Sequence, residues 1–173
     1  MRLQIGYVSS AEPGAVDRVL AEVARRAAEA GLVLAGTVSP PCDTPADGKC
    51  RIVLQLLPDG SARDLSLALG TGAESCRLDA GALEQVALEV CARLPGAAGL
   101  IVNKFGKQEA TGRGLVCAIG EAGSRGLPVL VGVQPPHLDS FLAFAEGNAQ
   151  SLPVDEAEVL GWLRAACRSL ATA

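Results

Sequence analysis

Apolar residues arrive in this chain in two rhythms: short unbroken runs, and stretches where they recur at every third or fourth position. The first run, residues 3–8, alternates too little for a strand with one wet face and reads as a buried strand. The turn-rich Ser9-Ser10-Ala11-Glu12-Pro13-Gly14 follows. Val16, Val19, Leu20, Val23 and Ala27 then fall at helical spacing, with Asp17, Arg18, Glu22, Arg25 and Arg26 on the other side. This predicts an amphipathic helix stopped at Gly31. Leu32 to Val38 is a second buried run. Strand, helix and strand so close together predict a βαβ unit with a right-handed crossover.

The rhythm breaks over residues 39–50, a polar stretch rich in Pro, Asp and Gly. Arg51 to Leu57 reads as a strand, Pro58-Asp59-Gly60 as a turn, and Ala62 to Leu69 as the returning arm of a hairpin. After a Gly-rich loop, Asp79 is placed to cap a helix carrying Leu83, Val86, Ala87, Val90 and Leu94. Gly99 to Val102 and Pro128 to Val133 are two further buried strands, with a helix from about Gly112 to Ala122 between them. Pro135-Pro136 breaks the chain, Leu138 to Phe144 forms a short helical turn, and Val154 to Leu170 closes as a helix. Neither repeats nor a linker are visible. The pattern predicts one α/β domain over residues 1–173: a mostly parallel sheet flanked by helices, with a β-hairpin insertion near residues 50–70.

Composition narrows the class. Of 173 residues 49% are hydrophobic and 20% charged, too apolar for a disordered chain. The net charge of −4, without a Lys/Arg block, and an aromatic content of 3% speak against nucleic acid as a partner. The amino-terminal run turns polar too early for a signal peptide, and no apolar run is long enough to span a membrane. With no secretion signal, Cys42, Cys50, Cys76, Cys91, Cys117 and Cys167 are read as free thiols in a reducing cytoplasm. Cys91, Cys117 and Cys167 fall on helices, as packing residues. The zinc-type spacing of paired cysteines is absent, so no metal site is expected.

In an open α/β sheet a ligand sits beyond the carboxyl ends of the strands. Three segments should meet there: residues 9–14, 103–113 and 134–139. The first compares poorly with a phosphate cradle of the form G-x-x-x-x-G-K-[ST]. Aligned on Gly14, it has Ser9 at the first glycine, Ala15 at the lysine and Val16 at the hydroxyl position. Glu12 repels phosphate and Pro13 removes a donor. A helix N-terminus remains as a weak anion site. The second segment, Asn103 to Gly114, holds two of the three lysines (Lys104 and Lys107) together with Arg113, Asn103 and three glycines. It reads as a glycine-flexible positive loop, with Asn103 and Glu109 supplying directed hydrogen bonds, or as a plain solvated loop. Cys76 and Arg77 lie just ahead of the helix capped by Asp79, where Arg77 would add charge and Cys76 would have a lowered pKa; Cys76 is equally read as a small buried hydrophobe, and Asp79 as a cap and nothing more. His137, the single histidine, stands beside Asp139 beyond a strand end. Trp162 is expected against the sheet or in a contact between copies, which leaves a homo-oligomer open.

The stretch LIVNKFGKQEATGRGLVCAIGEAGSRGLPVLVGV, the earlier CRLDAGALEQ and the late FAEGNAQSL resemble the DUF2478 family over most of the chain. That family is similar in turn to the THEP1-type P-loop nucleoside-triphosphatases. The resemblance implies a three-layer, P-loop NTPase-like fold. It also places Asn103 and Lys104 where those enzymes carry an acidic pair, while Gly106, Lys107 and Glu109 keep the rest of the motif. It further implies a link to molybdenum metabolism. Both catalytic signatures depart from the enzyme pattern, so the reading leans away from hydrolysis and away from Mg²⁺ as a cofactor.

The sequence therefore leads to a non-hydrolysing protein that binds a small anion: a nucleotide, a phosphorylated metabolite, or molybdate or tungstate. Ser9, Ser10, Gly14, Cys76, Arg77, Asn103, Lys104, Gly106, Lys107, Glu109, Arg113 and His137 are the binding candidates. Two alternatives stand beside it. One is a nucleoside-triphosphatase with a rearranged site and Glu109 or Glu12 as acid or base. The other is a regulatory module docking a partner protein through the same loop.

Overall fold

A computed structural model describes residues 3–40, 51–67 and 77–171. The alternation of strands and helices follows the apolar rhythm. Strands are β1 (Ile5–Ser9), β2 (Leu34–Val38), β3 (Val53–Leu57), β4 (Ala62–Asp64), β5 (Gly99–Phe105), β6 (Val129–Val133) and β7 (Ala149–Ser151). Helices are α1 (Ala15–Glu29), α2 (Ala80–Arg93), α3 (Lys107–Ala110), α4 (Val116–Ser124), α5 (Leu138–Phe144) and α6 (Glu156–Ala171).

The described residues form a seven-stranded sheet in the order β4-β3-β2-β5-β6-β1-β7. From β2 through β7 every neighbouring pair is parallel. The β3–β4 hairpin adds two antiparallel strands at the far edge, which is the insertion the turn at Pro58-Asp59-Gly60 predicts. Its second arm is shorter than expected, three residues, and residues 68–69 of the predicted arm lie outside the described residues. β1 and β2 are parallel but not adjacent, because β5 and β6 lie between them. The crossover through α1 thus spans two strands. Every residue of β6 is buried, as a central strand demands.

Successive strand residues point to opposite faces, and this period of two sorts the core into two layers. Ile101 and Leu130 face Val19, Leu20, Val23 and Ala27 of α1 and Val159, Leu160 and Leu163 of α6. Leu100, Val102, Val129 and Val131 face Leu83, Val86 and Val90 of α2 and Ala118, Ile119 and Ala122 of α4. The result is three layers: helix, sheet, helix. Trp162 packs on the sheet, where a side chain at Gly6 would collide with its ring at 2.9 Å.

Three features depart from the pattern read along the chain. β5 continues through Asn103 and Lys104 to Phe105, because Asn103 and Phe105 are buried while only Lys104 is exposed. β7 is polar and three residues long; pairing with β1, not a hydrophobic run, makes it a strand. Cys117 is exposed, not packed, since it sits on the open side of α4, whereas Cys167 is buried as expected. Residues 41–50 of the polar stretch predicted over 39–50, and the whole of the loop predicted over 70–75, fall outside the described residues, Cys42, Cys50 and Cys76 with them.

Candidate functional site

The helices after β1 and β6 leave in opposite senses: α1 carries the chain towards β2, while α5 carries it past β1 to β7. Such a reversal opens a crevice beyond the carboxyl ends of the two strands. A cleft of about 290 Å³ lies there, walled by residues 10–14 after β1, by Asn103 and Lys104 of β5, and by residues 132–136 at the end of β6.

Each wall has a physical cause. The first turns into α1 at Gly14, whose φ of 74° is left-handed and natural only to glycine. The Ser10 hydroxyl accepts from the Glu12 N–H (3.1 Å), and the Ala15 N–H donates to the Glu12 carbonyl (3.2 Å). Among the described residues, the Val16 and Asp17 N–H groups of the first turn have no backbone acceptor, the usual orphan donors of a helix start. Glu12 pairs with Arg18 at 3.2 Å, both well exposed. Ser9 turns away from the cleft: its hydroxyl donates to the Val133 carbonyl at 2.8 Å, riveting β1 to β6.

The second wall centres on Asn103, which is 3% exposed. Its Nδ2 donates to Asp17 Oδ1 (3.2 Å), its Oδ1 accepts from the Ser39 N–H (3.1 Å), and its N–H donates to Thr37 Oγ1 (3.3 Å). One amide thus ties β5, β2 and α1 together. Lys104 next to it is exposed and makes no ion pair among the described residues.

The third wall is held from behind by aromatic packing. Phe141 of α5 lies between Tyr7 and Phe105, at ring-centroid distances of 5.3 and 5.2 Å, and Phe144 meets Phe105 at 5.8 Å. The edge-on geometry of the first two suits the ring quadrupole. It fixes α5 and the 3-10 turn Pro135–His137 that leads into it.

Behind the second wall, the loop from Gly106 to Leu115 is organised by buried glutamate. Glu109, 6% exposed, accepts the Gly106 N–H on Oε2 (3.1 Å) and the Leu115 N–H on Oε1 (3.2 Å). Glu84 of α2 takes the Gly114 N–H at 2.6 Å. Both oxygens of Glu109 are therefore spent on backbone donors.

Of the residues singled out from the sequence, Ser10, Gly14, Asn103 and Lys104 line the cleft together. Ser9, Gly106 and Glu109 support it from behind, and His137 follows its third wall without lining it. Lys107 and Arg113 are exposed on the outer loop, and Arg77 is exposed beside the hairpin, where the Leu67 N–H donates to its carbonyl at 2.7 Å. None of these three lines the cleft, and Cys76 lies outside the described residues. The loop's positive charge is therefore not pooled: the ionisable side chains in the lining are Glu12, Asp17 and Lys104. Gln134 lies in the segment 134–139 expected there, but Asp17 is a lining residue that sequence reading misses: its spacing puts it on the wet face of a helix, with no signal that it meets an asparagine 86 positions away. Among the described residues no group of three or more His, Cys, Asp or Glu is placed to hold a metal ion, and no helix is long and apolar enough to cross a membrane.

Comparison with known proteins adds three findings. The family model described as "Protein of unknown function (DUF2478)" matches residues 5–162. A molybdenum import ATP-binding protein, ModC 2 of Bradyrhizobium diazoefficiens, is 32% identical over 153 residues; the match covers 86% of this chain but 17% of that protein, so the chain spans about a sixth of its length. The crystal structure of THEP1 from Aquifex aeolicus superposes with a TM-score of 0.54 at 11% identity, over 89% of this chain and 90% of that one. The last likeness shows the fold: P-loop NTPase-like, a mostly parallel sheet between helical layers, as the motifs implied.

Proposed function

The chain belongs to the DUF2478 family, and from that membership and its cleft we propose that it is a non-hydrolysing protein that binds a small oxyanion of the phosphate or molybdate class. The observation that carries this reading is the meeting, in one cleft of about 290 Å³, of the open first-turn N–H groups of α1 with the Lys104 ammonium. The helix start brings about half a positive charge, and Val16 and Asp17, which carry its orphan donors, line the cleft. Glu12 is offset by Arg18 and Asp17 is engaged by Asn103, which leaves Lys104, among the described residues, as the cation of the lining without an ion pair. The volume lies at the small end of ligand pockets and has room for a tetrahedral anion. The relative named as a molybdenum import protein supports molybdate as the first ligand to try.

The magnesium–nucleoside triphosphate that the fold family implies does not fit these residues. Val16 presents an apolar side chain at the hydroxyl position, and Ala15 stands where a lysine would meet phosphate. The buried Asn103 amide is committed on both its atoms and cannot serve as the acidic metal ligand. Glu109 is likewise committed to two backbone donors.

Isothermal calorimetry with molybdate, tungstate, phosphate and ATP tests the reading. Saturable binding of an oxyanion, weakened tenfold or more by Lys104→Ala, supports it; tenfold corresponds to about 1.4 kcal/mol, the scale of one charge-assisted contact. Binding that is indifferent to Lys104→Ala, or phosphate release from ATP, overturns it.

A further inference from the structure

Away from the cleft, α2 and α4 present a pair of thiols that the function above does not use. Cys91 Sγ and Cys117 Sγ lie 3.8 Å apart across the contact of the two helices. Cys117 is exposed, and Cys91 is half-buried behind it. We propose that Cys91 and Cys117 form a reversible redox site, in which a low-molecular-weight disulfide such as glutathione disulfide oxidises the two thiols to an intramolecular bond clasping α2 to α4.

The geometry suits the step. A disulfide needs its sulfurs at about 2.05 Å, so the two must close by about 1.8 Å. Rotation about χ1 moves a cysteine sulfur by more than that between staggered wells, so the gap is on the scale of a side-chain rearrangement. The roles divide by exposure. Cys117 is open to solvent and is the entry thiol. Cys91 is shielded, and burial together with the neighbouring Cys117 pushes its thiol up to about 11, so it is a poor first nucleophile. It becomes competent as a resolving thiol through proximity, because the sulfur it must attack is already in contact.

The chemistry balances as two exchanges. The Cys117 thiolate attacks one sulfur of glutathione disulfide; that S–S bond breaks, and one glutathione leaves as thiolate and takes up a proton. Cys91 then gives its proton to solvent and attacks Cys117 Sγ in the mixed disulfide, releasing the second glutathione. Two protein thiols are oxidised and one glutathione disulfide is reduced to two glutathiones. Reduced thiols in excess run the sequence backwards.

The site also touches the loop behind the cleft. The Cys117 thiol donates to the Gly114 carbonyl at 3.7 Å, and the Gly114 N–H and Leu115 N–H are the groups held by Glu84 and Glu109. The thiol pair therefore sits at the root of an ordered segment and not on a fraying end.

Mapping after oxidation tests the proposal. The full chain is incubated with glutathione disulfide, alkylated, digested with trypsin and analysed by mass spectrometry. The expected product links residues 78–93 to residues 114–125, disappears with dithiothreitol, and survives in a triple variant Cys42→Ser, Cys50→Ser, Cys76→Ser. In Cys117→Ser, Cys91 should react with glutathione disulfide at least tenfold more slowly than it is consumed in the parent. Recovery of Cys117 only as a stable glutathione adduct, pairing of either cysteine with another one, or a link between two copies overturns it. Circular dichroism of each variant confirms that a missing link is not a lost fold.

Discussion

Glu109 separates a structural from a chemical reading of the loop. Truncation to alanine removes the acceptor of two backbone N–H groups, those of Gly106 and Leu115, in a site where Glu109 is 6% exposed and water cannot take over. A hydrogen bond to a charged group is worth about 1.5–3 kcal/mol, so two bonds predict a loss of about 3–6 kcal/mol. Against a total stability of about 5–15 kcal/mol that is a large fraction. Glu109→Gln is the sharper probe. Its amide oxygen still accepts one N–H, but its NH₂ then faces the other donor. One bond is lost and one donor is left buried, which predicts about 2–3 kcal/mol.

Urea denaturation followed by the fluorescence of Trp162, the single tryptophan, reads both variants. With a slope of about 2 kcal/mol per molar urea, the glutamine variant should unfold about 1 M earlier and the alanine variant about 2 M earlier. Unchanged midpoints in both variants, together with loss of any nucleotide turnover, would refute the reasoning and make Glu109 a reacting group and not a clamp.

Three further outcomes follow from the same geometry. Gly114→Ala places a Cβ 2.3 Å from Glu109 Oε1 at a φ of 62°; it should cost about 1–2 kcal/mol for the left-handed backbone alone, with the remainder vanishing in a Glu109→Ala background, as a double-mutant cycle in urea would show. Asn103→Asp sets a carboxylate against Asp17 and an acceptor where a donor is needed; it should destabilise the fold by about 1–3 kcal/mol at neutral pH and recover in acid, where thermal melting as a function of pH reads it. Hydrogen bonding from Arg63, aided by Arg93, holds Glu89 below its ordinary value of 4.5. A carboxylate lowered on folding stabilises above that ordinary value and loses the contribution as pH falls through the lowered one, so Glu89→Gln should lower stability at neutral pH, change it little in acid, and thereby flatten the decline below pH 4.5; a decline as steep as in the wild type would remove the ion pair as its cause.

How much of this was legible in the sequence depends on the range of the interactions. β6 and α1 were legible because their own residues carry the signal, a continuous apolar run in one and a 3.6-residue period in the other. The hairpin was legible from Pro58-Asp59-Gly60. β7 was not, because Ala149–Ser151 is a strand only through its register with β1. The place of the cleft was legible from topology, since strand ends and breaks mark it. The membership of its lining was not: Lys104 and Lys107 are three residues apart in sequence, yet one lines the cleft and the other stands on the first turn of α3 outside it. Strand geometry carries Lys104 to the wall, and the turn at Gly106 carries Lys107 away.

Asn103 shows how the two sides of the cleft are held together. A buried carboxylate at this position would find Asp17 facing it and the Ser39 N–H as its main compensation. An amide supplies a donor to the first and an acceptor to the second, so the two sides of the crevice lock without net charge. Glu109 does the same for the adjacent loop by satisfying Gly106 and Leu115. Among the described residues no buried side-chain nitrogen or oxygen lacks a partner. Asn103 and Glu109 are thus internal fasteners of the crevice and its loop. What remains free to meet a ligand is the part of the crevice that cannot bond to itself: the first-turn N–H groups of α1 and the ammonium of Lys104. Both are donors or cations, and that shared sign is the physical reason to look for an anion, although the chain as a whole carries −4.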